Sequence, residues 1–391
     1  MWERKLYMRD KIFAVSISII LLLVPISILI RKDKDISLTE NRALFKKSDI
    51  ELTALNEGIN QWLEDQFIGG DTLKKMYNRC KNKTINVSMK LIEKSNLINL
   101  IPMGKGIYRL ANTDYMVYKL AEFDEFKDTY GEIIDSINHV YNQNSSVDFY
   151  VYNIVTDDIV IGREKYDELF RKRLDKNIKF MSSTKINTYD DYKKSFYKTD
   201  HHWDKDGQYD GYVDIMHLLG QEDIEEKPRL LKFDNLKFWG SKARAIGDTE
   251  IYDEFEAYDY SYPEMSVQIN FQEVPDYGDE ENFASGNIIR DVEFENYYAD
   301  FYGSDYGIVN FCVSDNEECE NILVLSNSYS NAINKLIASK FYNTYIVDMR
   351  YYESQLNESF NINEFIKNND ITKVLVIGNH MYYKNIKFKI D

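Results

Sequence analysis

The sequence predicts an α/β protein built on a largely parallel sheet with flanking helices, preceded by one N-terminal transmembrane helix. Short β-branched and aromatic runs alternate with helical stretches, the order that βα units produce. Two of these runs, "NILVL" (321–325) and "TKVLVIG" (372–378), are mostly apolar, as strands covered on both faces are. The third observation is the uncharged run Ile12–Ile30, "IFAVSISIILLLVPISILI". As a helix it is roughly 28 Å long, the thickness of a bilayer's hydrocarbon core.

In chain order, residues 1–11 form a basic N-terminus expected in the cytoplasm, and 12–30 the anchor. Pro25 is tolerable inside a membrane helix, and "ILIRKDKD" offers no small-residue site for signal cleavage. Arg4, Lys5, Arg9 and Lys11 before the run slightly outnumber Arg31, Lys32 and Lys34 after it, which directs the body to the outer face. Residues 31–100 read as a membrane-proximal connector and helical region, with Leu52, Leu55, Ile59, Trp62, Leu63 and Phe67 at helical spacing. Residues 101–391 form the α/β domain. Its helices are expected at 123–141 and 329–340, and its strands at 146–155, 321–325, 343–352 and 372–378. The stretch 228–310 shows no clear period and reads as an irregular insertion.

The chain of 391 residues is 44% hydrophobic and 14% aromatic, enough to build a large core. Its net charge of −17 repels polyphosphates and argues against nucleic acid as a partner. The 31 tyrosines suit stacking on sugars, although compositional bias produces the same count. Cys80, Cys312 and Cys319 match no zinc spacing. The second and third either bridge or, like Cys80, remain free.

Chemistry concentrates in two places. "TDHHW" places Asp200 and His202 two residues apart, so that in an extended or turn segment the carboxylate can accept the Nδ1–H of the imidazole and leave Nε2 as a base. "SNSYSNA" follows the strand 321–325 and places Ser326, Asn327, Ser328 and Ser330 at a strand end and a helix start. Backbone N–H groups there stabilise an oxyanion, although serine and asparagine are also ordinary helix caps. Two alternatives stay open on the residues alone. Asp200-His201-His202 is a possible metal cluster, with Asp157 and Asp158 at an earlier strand end, and His380 in "VIGNHMYY" is a rival base. His139 and His217 fall in helical stretches and read as structural.

Taken together, "TDHHW", the serine in "SNSYSNA", "ENR" at 40–42, "WLEDQF" at 62–67 and "YIVDMRYY" at 345–352 resemble the DHHW family. Through it they resemble the SGNH-like polysaccharide O-acetyltransferases of the alginate-acetylation type. The resemblance runs from about Leu38 to the C-terminus and implies an SGNH-hydrolase-like fold with permuted motif order, Asp-His before Ser. It implies a triad of Ser328, His202 and Asp200, with His201 in the variable middle position. Asn327 stands where the family's acidic residue precedes the serine. Ser328 N–H, Gly240 and Asn327 are the candidate oxyanion donors, and Trp203 is a candidate for substrate binding.

The function so implied is a membrane-anchored, extracytoplasmic O-acetyltransferase that acts on a cell-surface or secreted polysaccharide through an acetyl-serine. It requires no metal or other cofactor and receives acetyl from a membrane-bound O-acyltransferase partner. A carbohydrate acetyl esterase with the same triad and a non-catalytic glycan-binding surface protein are the alternatives.

Overall fold

The computed structural model describes Val15, Ile26 and residues 28–37, 42–67, 70–93, 100–285, 293–316 and 318–385. The predicted membrane helix 12–30 lies mostly outside them. Among the described residues no helix is long and apolar enough to cross a membrane. The chain divides into two compact units, residues 1–97 with 244–250, and residues 98–243 with 251–391.

In the first unit, β1 (Ile36–Ser37) pairs with β2 (Arg42–Ala43) beside helices Leu55–Asp65 and Gly70–Glu93. Two sequence islands serve this unit's own packing. Asp65 takes both ends of the Arg42 guanidinium at 2.8 and 2.5 Å and the Phe45 N–H at 2.8 Å. Trp62 is buried and donates its indole N–H to Asp33 at 3.0 Å. Of the predicted apolar stripe, Leu55 and Phe67 remain exposed.

The second unit opens with a three-stranded antiparallel sheet, β3 (Leu100–Gly104), β4 (Ile107–Leu110) and β5 (Met116–Tyr118). Helix Phe123–Gln143 then leads to β6 (Asp148–Asn153), and helix Arg163–Arg173 to β7 (Lys179–Ser182). After helices Tyr189–Ser195 and Lys205–Leu219, β8 (Leu230–Phe238) and β9 (Asp253–Tyr258) form a separate hairpin-like pair flanking the short helix Ser241–Ile246. The remaining strands are β10 (Ser266–Ile269), β11 (Gln272–Val274), β12 (Ile308–Cys312), β13 (Asn321–Leu325), β14 (Asn343–Val347) and β15 (Ile371–Gly378).

The main sheet has eight strands in the order β11-β10-β12-β14-β13-β15-β6-β7. From β14 to β7 every pairing is parallel, whereas β10, β11 and β12 add on antiparallel. The apolar character of β13 and β15 follows from this position: Ile322, Leu323, Val324, Val374 and Leu375 are completely buried, each side chain contributing about 1.5–3 kcal/mol of transfer free energy.

The stretch 228–310 is more ordered than its missing periodicity suggested. It supplies β8, β9, β10, β11 and part of β12, and its aromatics Phe238, Phe255, Phe283, Tyr297, Tyr298, Phe301 and Tyr302 pack as a second core. The expected helix 329–340 is a 3-10 turn at Asn331–Ile333 followed by the short helix Asn334–Ala338, and the strand expected to reach 352 ends at Val347. The three cysteines are all free thiols.

Candidate active site

Parallel strands deliver their loops to one edge of the sheet, where ligands gather in such folds. Here that edge receives Thr156, Asp157 and Asp158 after β6, Asn327 and Ser328 after β13, Arg350 after β14, and Asn379 and His380 after β15. All of them line one cleft of about 480 Å³, together with His201 and Tyr329. The Asp200–Trp203 segment comes from outside the sheet and is fixed by its own bonds. Tyr197 N–H donates to His202 O, and Thr199 donates its N–H and hydroxyl to Asp253 at 2.9 and 2.6 Å.

The structure brings Asp200, His202 and Ser328 into line. Asp200 Oδ1 lies 2.6 Å from His202 Nδ1, and His202 Nε2 lies 2.8 Å from Ser328 Oγ. Asp200 also accepts the His202 backbone N–H at 2.8 Å through Oδ1 and the Ser241 N–H at 2.5 Å through Oδ2. Burial alone would raise this carboxyl, but the charges of the His201 and His202 imidazoles, the His202 side-chain hydrogen bond and the Ser241 N–H outweigh it and hold Asp200 well below the usual carboxylate range. An ionised Asp200 can only accept, so Nδ1 carries a proton, and the neutral imidazole then presents Nε2 as the base facing the serine hydroxyl.

Aromatic rings lock this arrangement. Tyr298 stacks on the His202 imidazole with centroids 3.9 Å apart and planes 9° from parallel, and its hydroxyl donates to Ser328 O at 3.1 Å. Tyr329 donates its hydroxyl to His201 O at 2.5 Å. His201 forms part of the cleft wall, with Nδ1 2.6 Å from Ser241 Oγ.

Asp200, His201 and His202 do bring potential metal-ligand atoms within 4.8 Å of one another. Both Asp200 oxygens and both His202 nitrogens are already committed to hydrogen bonds, however. A cation bound through His202 would displace Asp200 or Ser328, so the donor set suits proton transfer better than coordination. The rival base lines the same cleft but is engaged differently: His380 Nδ1 lies 3.1 Å from Tyr130 Oη, and burial lowers the imidazole to about 4.

Two candidates need correction. Gly240 N–H donates to Thr199 Oγ1 at 3.0 Å and is spent as an oxyanion donor. The residue is glycine for space: a Cβ there would lie 2.3 Å from Asp200 Cβ. Trp203 is 1% exposed and packs in the core against Tyr329, with Gly211 closing over its ring, so it is no substrate platform. Asn327 lines the cleft, donates Nδ2 to Asn379 Oδ1 at 3.2 Å and accepts the Tyr329 N–H at 3.3 Å, so it braces its neighbours.

Three contributors escaped the sequence. Asn379 Oδ1 is fixed by the Tyr382 N–H at 3.0 Å and the Asn327 amide, and its Nδ2 makes no hydrogen bond among the described residues. Its position directly after an apolar strand was a legible signal. Ser241 adjoins Gly240 in the sequence, but nothing there reveals its bond to Asp200. Tyr298 had no signal at all, since it sits in the stretch without periodicity.

No protein-family model and no characterised relative matches the sequence. The fold, by contrast, is shared with solved structures. Bacillus cereus PatB1 with a sulfonyl adduct superposes with a TM-score of 0.55 at 17% identity, over 73% of this chain and 100% of that one. A DHHW family protein from Eubacterium siraeum gives 0.54 at 19% identity, over 74% and 95%. The O-acetyltransferase domain of Pseudomonas putida AlgJ gives 0.41 at 9% identity, over 73% and 95%. The chain therefore shares its fold with PatB1 and with the DHHW family protein from Eubacterium siraeum.

Proposed function

We propose that the protein is an extracytoplasmic O-acetyltransferase that transfers acetyl to a hydroxyl of a cell-surface or secreted polysaccharide, with Ser328, His202 and Asp200 as its triad. One observation carries the reading. A hydrogen-bonded Asp200–His202–Ser328 relay opens onto a cleft at the carboxyl ends of parallel strands.

In the first half-reaction Ser328 Oγ attacks the carbonyl carbon of an acetyl ester while His202 Nε2 takes the hydroxyl proton. The carbonyl oxygen becomes an oxyanion, for which Ser328 N–H and Asn379 Nδ2, both in the cleft lining, are the donors we assign. Collapse breaks the ester bond, and the leaving alkoxide takes the proton from His202. In the second half a sugar hydroxyl attacks the acetyl-serine, its proton passes to His202, and the departing Ser328 Oγ recovers that proton. Asp200 keeps Nδ1–H in place throughout and balances the imidazolium.

The run Ile12–Ile30 supports a single-pass anchor that holds this chemistry at the outer face of a membrane, with acetyl supplied by a membrane-bound O-acyltransferase. The test is incubation of the full chain with p-nitrophenyl acetate and an oligosaccharide, beside Ser328→Ala and His202→Ala. The reading requires acetyl on Ser328 and on the sugar in wild type and on neither in the variants. Acetyl release to water alone would make the protein an esterase.

A further inference from the structure

The "DMR" of "YIVDMRYY" has no part in the acyl chemistry, yet its Arg350 lines the same cleft as Ser328. Asp348 is buried and clamps this guanidinium from one side. It accepts Nε at 2.9 and 3.1 Å, Nη2 at 2.5 Å and the Arg350 backbone N–H at 3.0 Å. Among the described residues Nη1 makes no hydrogen bond. A guanidinium held in plane by one carboxylate, with a second edge unoccupied, is an aimed donor that costs a ligand little to organise.

An independent observation lies beside it. Tyr382 lines the same cleft and is 1% exposed, and its hydroxyl has no hydrogen-bond partner among the described residues. Burial raises this phenol well above its ordinary value, so the hydroxyl stays protonated and is available as a donor. Buried hydroxyls are normally satisfied. This one joins Arg350 Nη1 as a second donor without a protein acceptor.

We propose that Arg350 and Tyr382 form the acceptor subsite and bind hydroxyl or amide-carbonyl oxygens of an uncharged sugar unit. The charge pattern selects against an acidic sugar. Arg350 faces two carboxylates, Asp348 at hydrogen-bond distance and Asp305 at 3.6 Å, so the group is net negative when all three are ionised. A uronate or phosphate would meet that charge, whereas a neutral oxygen takes the Nη1–H without doing so. The proposal rests on the acetyl-transfer reading for the word acceptor, but the binding itself does not need turnover.

The test measures binding calorimetrically, with the full chain carrying Ser328→Ala and with chitotriose, cellotriose and mannotriose compared with trigalacturonate. At least one neutral trisaccharide is expected to bind about tenfold or more tightly than trigalacturonate. Arg350→Gln should weaken that binding about tenfold or more, the effect of losing a charge-assisted hydrogen bond, and Arg350→Lys should not restore it. Because Arg350→Gln leaves Asp348 without its partner, Tyr382→Phe is the second variant. It keeps the ring, deletes only the unpaired hydroxyl, and should weaken binding about threefold or more while the melting temperature does not fall. Preference for trigalacturonate, binding of none of the four, or unchanged binding in both variants overturns the subsite. None of these outcomes depends on whether Ser328 is acetylated, so failure of the triad reading remains separately visible.

Discussion

Asp200→Asn tests the proton relay with the smallest change of shape. In the wild type Oδ1 accepts two N–H groups of His202 and Oδ2 accepts the Ser241 N–H. An asparagine has one acceptor oxygen and one NH2, so one of these positions must set donor against donor. With its oxygen toward His202, the amide nitrogen faces Ser241 N at the 2.5 Å now separating acceptor and donor, and the loop must move. With its oxygen toward Ser241, the amide donates to Nδ1 and moves the imidazole proton to Nε2, where it can no longer accept from Ser328. Both orientations also remove the charge that balances the imidazolium. A wrong tautomer in a Ser-His-Asp site costs up to about 10⁴-fold in kcat; the expected loss here is about 10³–10⁴-fold, or about 4–5.5 kcal/mol. The assay is p-nitrophenyl acetate turnover by the full chain, with melting temperature as the folding control. A folded Asp200→Asn protein within about tenfold of wild type would refute the relay.

Asn379→Ala removes one of the two proposed oxyanion donors and should lower kcat about 10²–10³-fold, with a smaller effect on KM, read from the same assay. Gly240→Ala would push a methyl against Asp200, since its Cβ would meet that residue's Cβ at 2.3 Å; activity should fall with the relay, and Gly240→Ala with wild-type turnover would show that the close approach is unimportant. Lys242 and Asp157 form a fully buried pair at 2.7 Å, so Lys242→Ala should cost about 3–5 kcal/mol in denaturant unfolding, and Asp157→Asn added to Lys242→Met should recover much of it. Asp158 is raised to about 7, by burial first and by Asp157 second. The folded state therefore keeps a proton there that the unfolded chain has already lost. That group's stabilising contribution is complete below about pH 4 and disappears as pH rises through about 7, so Asp158→Asn should flatten the fall in melting temperature over that window.

The fold was legible where burial dictates composition. Strands β13 and β15 are covered on both faces and so read as apolar runs, and helix Phe123–Gln143 buries Tyr130, Ile134 and Ile137 at helical spacing. The Asp200–His202 pair was legible because its geometry is local. The 2.8 Å approach of His202 to Ser328, 126 positions apart, is a product of the whole fold and has no local signature. The same holds for Tyr298, which packs in a second aromatic core whose members come from several short elements without a common period. Gly240 misled because a glycine beside a site suggests a free N–H, whereas here the residue's missing side chain is what matters.

The most direct measurement of the central claim is intact mass of the full chain after brief exposure to p-nitrophenyl acetate, followed by peptide mapping and a chase with oligosaccharide. The account predicts one acetyl group on Ser328 in the wild type, none there in Ser328→Ala or His202→Ala, and its disappearance as acetylated sugar forms. Acetyl on other residues only, or equal labelling of all three proteins, would contradict it.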